Sequence, residues 1–294
     1  MKFARKAMVA ACLVATTSPV FADAYSTATF GNLTITLIDL NVDDGVAASI
    51  QFLPCTTKFT DGASIRGEVE TWREVGSFVD LHDEKMNKSA AWGSANIAGG
   101  AQTETASMSA SVTASADGNG FTSLNLSGSA LSTPGHLSYF NGAANVPAVN
   151  LREFMLSANT QVVFSVAGSM SVSTNPGTYP GELRNELAFA RLGLQVSGLD
   201  LEGNVLVDQH EQTLSVGYPG DLIPSGGGDS WSGMISSSYS NLSAESAGGG
   251  FWAYGGIEGA SMLTAVPEPE TYGMLLGGLG LIGAVARRRR RAGA

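Results

Sequence analysis

The sequence predicts an all-β protein, an antiparallel β-sandwich or jelly-roll-like body with an N-terminal signal helix before it and a C-terminal hydrophobic helix after it. Three observations carry this. Apolar residues recur at every second position through much of the chain, the period of a strand with one buried face. The runs are short, stand about ten residues apart and are separated by Gly, Pro, Asn and Asp, the spacing of sandwiches and jelly rolls. Between residues 25 and 265 no long run keeps the helical period.

Residues 1–24 have the order of a secretory signal peptide: Lys2, Arg5 and Lys6, then an apolar stretch from Ala7 to Val14, then small residues. Val20-Phe21-Ala22 and Ala22-Asp23-Ala24 both satisfy a small-x-small rule, so the mature chain begins at Asp23 or at Tyr25. The body then occupies residues 25–265 and a distinct tail residues 266–294.

In the body, residues 29–38 and 46–53 read as strands. Leu33, Ile35 and Leu37 share one face, Thr34 and Thr36 the other, and Asp44-Gly45 is a turn that would close the two runs into a hairpin. Asp39, Asn41 and Asp43 stand at alternate positions there, the arrangement in which oxygens converge on Ca2+. The position that wants glycine in such a loop is Asp44, and the one that wants a bidentate glutamate is Ile50, so a solvated turn competes with calcium. From Thr60 to Ala91, Ile65, Val69 and Val75 alternate with charge and favour strands over a short helix around residues 68–75. His82, Asp83 and Glu84 would suit a metal cluster, or a base with its orienting carboxylate; a polar loop also accounts for them.

Residues 93–135 are built from Ala, Ser, Thr and Gly. Such a segment is either a linker between subdomains or a set of strands whose small side chains pack closely on a facing sheet. Strands around an Asp117-Gly118 turn are the preferred reading, because alternation resumes at Phe121, Leu124 and Leu126. The clearest alternation is Val162, Phe164, Val166, Met170 and Val172, with serines at 165, 169, 171 and 173 opposite. Leu192, Leu194 and Val196 repeat it, as do Val205 with Val207 and Leu214 with Val216. Residues 225–265 are glycine-rich around Trp231, Tyr239, Phe251, Trp252 and Tyr254. Exposed aromatics on a β scaffold stack against sugar rings while acids and amides bind the hydroxyls, and Trp231, Trp252 and Tyr254 are the candidates for that role. Filling a core short of volume is the competing use.

The formal net charge is −10, but half of the sixteen Lys and Arg lie in the two ends. Residues 25–265 hold eight basic and 23 acidic side chains, a net charge of −15. Nucleic acid is thereby excluded as a partner, since phosphate binding needs Lys and Arg. Cys55 is the only thiol outside the signal segment, so no disulfide forms within the body. No G-x-S-x-G occurs, and His82, His136 and His210 have no metal-ligand spacing, so the chain reads as not an enzyme and as needing no cofactor apart from the Ca2+ option at Asp39, Asn41 and Asp43. A pair of glycosidase carboxylates is set by fold and not by spacing, which keeps a secreted glycoside-active enzyme as the third reading.

The tail has three parts in fixed order. Pro267-Glu268-Pro269 cannot continue a helix or a ladder. Tyr272 to Ala286 carries no charge and, as a helix, falls short of a bilayer core roughly 30 Å thick, which it only marginally spans. Arg287, Arg288, Arg289, Arg290 and Arg291 follow as a stop retained on the cytoplasmic side. This order resembles the PEP-CTERM sorting signal of Gram-negative bacteria. The resemblance implies recognition of Pro267, Glu268 and Pro269 by a membrane protease of the exosortase type. It further implies signal peptidase as the first processing enzyme, transient anchoring in the inner membrane by the C-terminal helix, and delivery to the cell surface or an exopolysaccharide matrix. The expected function is a structural or adhesive role at the cell surface or in the extracellular matrix, associated with exopolysaccharide; the alternative is a carbohydrate-binding module.

Overall fold

A computed structural model describes residues 22–53, 62–75, 78–90, 96–116, 119–133, 136–147, 151–175, 186–217 and 226–263. The expected signal helix, Cys55, the Asp117-Gly118 turn, Pro267 to Pro269, the apolar tail segment and Arg287 to Arg291 lie outside these residues. Fourteen strands and no helix are present among the described residues. They are β1 (Ala22–Asp39), β2 (Ile50–Phe52), β3 (Ser64–Val75), β4 (Phe78–Ser89), β5 (Asn96–Gln102), β6 (Ala106–Ala114), β7 (Phe121–Ser132), β8 (His136–Val146), β9 (Arg152–Leu156), β10 (Thr160–Asn175), β11 (Leu187–Leu199), β12 (Val205–Val216), β13 (Gly227–Asn241) and β14 (Ala247–Leu263).

The strands form two antiparallel sheets packed as a sandwich. The first runs β13-β10-β1-β7-β6-β5; the second runs β12-β11-β14-β8-β3-β4, with β9 continuing along the β8 edge of β14 and β2 outside β9. The alternation predicted for residues 162–172 is observed in full: every even residue of β10 from Thr160 to Thr174 is buried. In β1 the inward residues are even from Ala22 to Phe30 and odd from Leu33 onward. A bulge makes this possible. Phe30 pairs with Gly168 and Leu33 with Val166, so β1 holds one extra residue and the phase flips without turning the strand over.

One expected pairing is not formed. Residues 29–38 and 46–53 were predicted as a hairpin, yet β1 pairs with β10 on one edge and β7 on the other, while β2 joins β9 in the opposite sheet. β10 holds one edge of β1 along residues 33–39 and β7 the other only as far as Phe30, and the turn at Gly45, with φ of 73°, leads the chain to the second sheet, where residues 50–52 pair with β9 instead. The small-residue segment is strand, as preferred: Ala106, Met108, Ala110 and Val112 of β6 point inward, and Ser107 and Ser109 pair with Ser129 and Ser127 of β7 at 2.8 Å on the solvent side.

Glycine on one sheet makes room for a large side chain from the other. Phe140 of β8 is fully buried between Gly128 of β7 and Gly259 of β14; a Cβ at either glycine would lie 2.2 Å from its ring. At the opposite end Phe154, Phe164 and Phe251 pack with centroids 5.6 and 4.8 Å apart, and Phe52 closes over them. Where consecutive strands pass from one sheet to the other, side chains bond the facing backbone. Lys88 Nζ of β4 donates to Ala98 O of β5 at 2.9 Å, and Glu84 Oε2 accepts from Gln102 N–H at 3.2 Å. On the other side Asp208 Oδ2 of β12 accepts from Ser238 N–H of β13 at 2.7 Å, and Ser237 Oγ donates to Asp208 O. These contacts occupy sheet edges that would otherwise pair with other chains.

Candidate functional site

The solvent face of the second sheet collects most of the chemistry on the body. Because side chains alternate across a strand, the register decides who meets whom. Gly193 of β11 stands between Tyr254 of β14 and Glu211 of β12, and Gln195 between Trp252 and Gln209. Gly193 has no side chain, so the Tyr254 ring lies flat across β11; a Cβ there would be 2.2 Å from Cζ. The hydroxyl thereby reaches β12, where Gln209 Nε2 donates to it at 2.9 Å and it donates to Glu211 Oε2. Trp252 covers one side of the ring, centroids 4.6 Å apart and planes 33° from parallel, and the Arg191 guanidinium lies 5.8 Å from the ring centroid. Burial first, then the bond to the Glu211 carboxylate, pushes the Tyr254 phenol up to about 12. Tyr254 is therefore a neutral, fixed platform, and Trp252, only partly buried, is the ring of the pair that stays open to solvent.

Further along the same face Asn141 Nδ2 donates to Tyr139 OH at 3.2 Å, with Glu258 Oε1 3.5 Å from that hydroxyl. Burial raises the Tyr139 phenol above its ordinary range. Lys85 of β4 pairs with Glu68 of β3 and stands 3.6 Å from Asp83. The face thus offers an aromatic plate, amides and carboxylates in one plane, groups that stack on a ring and bind hydroxyls.

Of the three aromatics grouped from sequence, the fold brings Trp252 and Tyr254 together and holds Trp231 apart. Trp231 belongs to β13 of the other sheet and points between the sheets, 3.0 Å from where a Cβ on Gly168 would sit and 2.9 Å from one on Gly233. Asp39, Asn41 and Asp43 lie at the end of β1 and in the turn after it. Asp39 Oδ1 accepts the Asn41 N–H at 3.0 Å. The neighbouring Asp44 is bound on both oxygens, by Val46 N–H and Asn159 Nδ2, each at 2.7 Å, and the Asn159 bond lowers its pKa. Among the described residues no three His, Cys, Asp or Glu side chains are placed to hold one metal ion.

His82, Asp83 and Glu84 are separated by the alternation of β4. His82 Nδ1 meets Glu104 Oε2 at 3.0 Å, Glu84 binds Gln102, and Asp83 faces the opposite side toward Lys85. Arg191, Gln209 and Glu211, which frame Tyr254, were not singled out in the sequence. Arg191 alternates with the apolar Leu192 and Leu194, but Gln209 and Glu211 share the parity of Val205 and Val207, which were expected to be buried and are instead 68 % and 55 % exposed on this outer face, and nothing local tied any of the three to Tyr254, 43 to 63 positions away.

Residues 265–291 match the family model of the PEP-CTERM protein-sorting motif. The match spans the Pro-Glu-Pro segment, the apolar run and the five arginines, and it implies an exported protein processed by an exosortase. Comparison of the chain with curated proteins gave no match.

Proposed function

We propose that this protein is a non-enzymatic component of the cell surface or extracellular matrix that adheres to exopolysaccharide through the solvent face of its second sheet. The single observation that carries the destination is the sorting motif at residues 265–291. Before processing, the apolar run Tyr272 to Ala286 holds the chain in the inner membrane and Arg287 to Arg291 stop it there. The adhesive role is supported by the Trp252 plate, braced by Tyr254 and ringed by Gln195, Gln209, Glu211 and Arg191. A sugar ring stacks on Trp252 through its apolar C–H face while the amides and Glu211 bind hydroxyls. The acidic body repels anionic lipid and nucleic acid and stays soluble in a hydrated matrix.

Affinity electrophoresis of the mature protein through gels containing the polysaccharide made by the producing cells tests this. Retardation that Trp252→Ala removes, with no polysaccharide degraded, is the expected result. Turnover of the polysaccharide would replace the adhesive reading by a glycoside-active enzyme, and free migration of the native protein would end the sugar-binding reading.

A further inference from the structure

We infer that this protein self-associates as a two-fold dimer, the solvent face of its first sheet stacked on the same face of a second copy. The inference goes beyond the adhesive reading and stands on a different surface. Register builds that face from neutral residues. Across the sheet from β13 to β5, Ser230, Ser171, Thr27, Ser127, Ser109 and Gly100 stand in one rank. The rank on one side of it runs from Gly228 to Gln102, and the two on the other side run from Ser232 to Ala98 and from Met234 to Asn96. Apart from Tyr25 and Met234 these positions hold Ser, Thr, Asn, Gln, Gly and Ala, and none carries a charge. The six strands contain three charged residues: Asp23 and Asp39 near the two ends of β1, and Asp229, which shares the inward parity of Val172.

Charge, chemistry and area point to a second copy as the occupant. With a net charge of −15 on residues 25–265, two bodies repel least where they meet through an uncharged face. The outer face of the second sheet, which bears Glu68, Glu70, Asp83, Glu211 and Glu258, would oppose such a contact. A hydroxyl both donates and accepts, so a face of hydroxyls is complementary to itself about a two-fold axis, as a face of carboxylates is not. Bonds at 2.8 Å from Ser107 to Ser129, from Ser109 to Ser127 and from Ser165 to Ser236 hold these groups in the plane, and each oxygen keeps a further lone pair for a partner. Six strands about 4.8 Å apart and four ranks about 6.8 Å apart cover roughly 800 Å2, the area each partner gives to a standard stable interface. Tyr25, 43 % exposed, and Met234, 61 % exposed, are the large side chains on this plane, and both are types that interfaces favour. Two copies stacked in this way repeat the sheet-on-sheet layering of the sandwich itself. On the adhesive reading, the dimer leaves both Trp252 plates facing outward and grips two polysaccharide chains.

The test is sedimentation velocity of the mature protein from its producing cells, over a wide dilution series at low and high salt. A reversible doubling of mass with concentration is expected, and added salt should favour it by screening the repulsion between the two acidic bodies. Thr27→Arg near the centre of the face, and Ser109→Arg on its exposed β6 side, should each raise the dissociation constant about tenfold or more, with unchanged melting midpoints showing that the fold is kept. Trp252→Ala should leave the dimer intact. A monomer at every concentration and salt, or a dimer that both arginine variants keep, would overturn the inference and leave the adhesive reading standing. A dimer lost in Trp252→Ala but kept in Thr27→Arg would place the contact on the second sheet and overturn it as well. A dimer that behaves as expected but migrates freely through polysaccharide gels would uphold the inference and end the adhesive reading alone.

Discussion

Replacing Gly128 by Ala should destabilise the body through a single ring. Phe140 is fully buried, and an added Cβ at residue 128 would stand 2.2 and 2.3 Å from its Cδ2 and Cε2. Carbon atoms rest at about 3.5–4.0 Å, so the ring would have to retreat by more than about 1 Å. It has nowhere to go, because on its far side the backbone at Gly259 is so close that a Cβ there would be 2.2 Å from Cε1. The strain should therefore reach the upper end of the overpacking range, about 3 kcal/mol. The entropy lost by the unfolded chain when Gly becomes Ala opposes this by about 0.4–1 kcal/mol and does not reverse its sign. Phe140→Ala alone should cost about 3–5 kcal/mol as a cavity. In that background Gly128→Ala has no ring to strike and should cost nothing, so the two changes are coupled by about 2–3 kcal/mol. Guanidinium unfolding followed by tryptophan fluorescence measures all three variants, and the single change should lower the melting midpoint by about 5–10 °C. A cost for Gly128→Ala below about 0.5 kcal/mol, or the same cost with and without Phe140, would refute the interlock.

Trp231→Ala should lower stability by about 2–4 kcal/mol, as a partly buried core aromatic does, while leaving any polysaccharide retardation intact; the opposite pattern would move the binding face to the first sheet. Asp208→Ala removes the acceptor for Ser238 N–H at the seam between β12 and β13 and should cost about 1–2 kcal/mol, with hydrogen exchange at Ser238 accelerated before the global transition; unchanged exchange there would show the bond to be dispensable. The bond to Glu104 raises the pKa of His82 from its ordinary 6.5, and the bond to His82 lowers that of Glu104 from 4.5. A raised histidine stabilises fully below 6.5 and loses the effect as pH rises through its folded value; a lowered carboxylate stabilises above 4.5 and loses it as pH falls. The pair should therefore act between the lowered Glu104 value and the raised His82 value, visible by NMR titration as a His82 midpoint that falls toward the ordinary value in Glu104→Gln, with Glu84 and Asp83 still raising it. An unmoved midpoint would assign the shift to another group.

Much of the fold was legible because burying one face of a strand leaves a period-two trace that no other structure leaves. The even residues of β10, the small inward residues of β6 and the absence of helix follow from that trace. The hairpin expected around Asp44-Gly45 failed for a reason outside the local sequence. A turn specifies that the chain reverses, not which strand waits on either side, and the partners of β1 start more than eighty residues away. The same holds for the aromatic cluster. Trp231 and Trp252 look alike as tryptophans in glycine-rich stretches, and only the register separates the one between the sheets from the one on the solvent face.

The sequence by itself determined where the protein is sent, because a sorting tail is read as a linear order of prolines, apolar residues and arginines and needs no fold to be recognised. It also determined that the body is all β, since strand periodicity is a local property. Tertiary structure alone decided which side chains share a face. The Tyr254 platform joins residues on three strands through backbone pairing and through the missing side chain of Gly193, and Phe140 is locked by glycines from two sheets. Those contacts depend on strand order and register, which long-range hydrogen bonding sets and which no short stretch of the chain encodes.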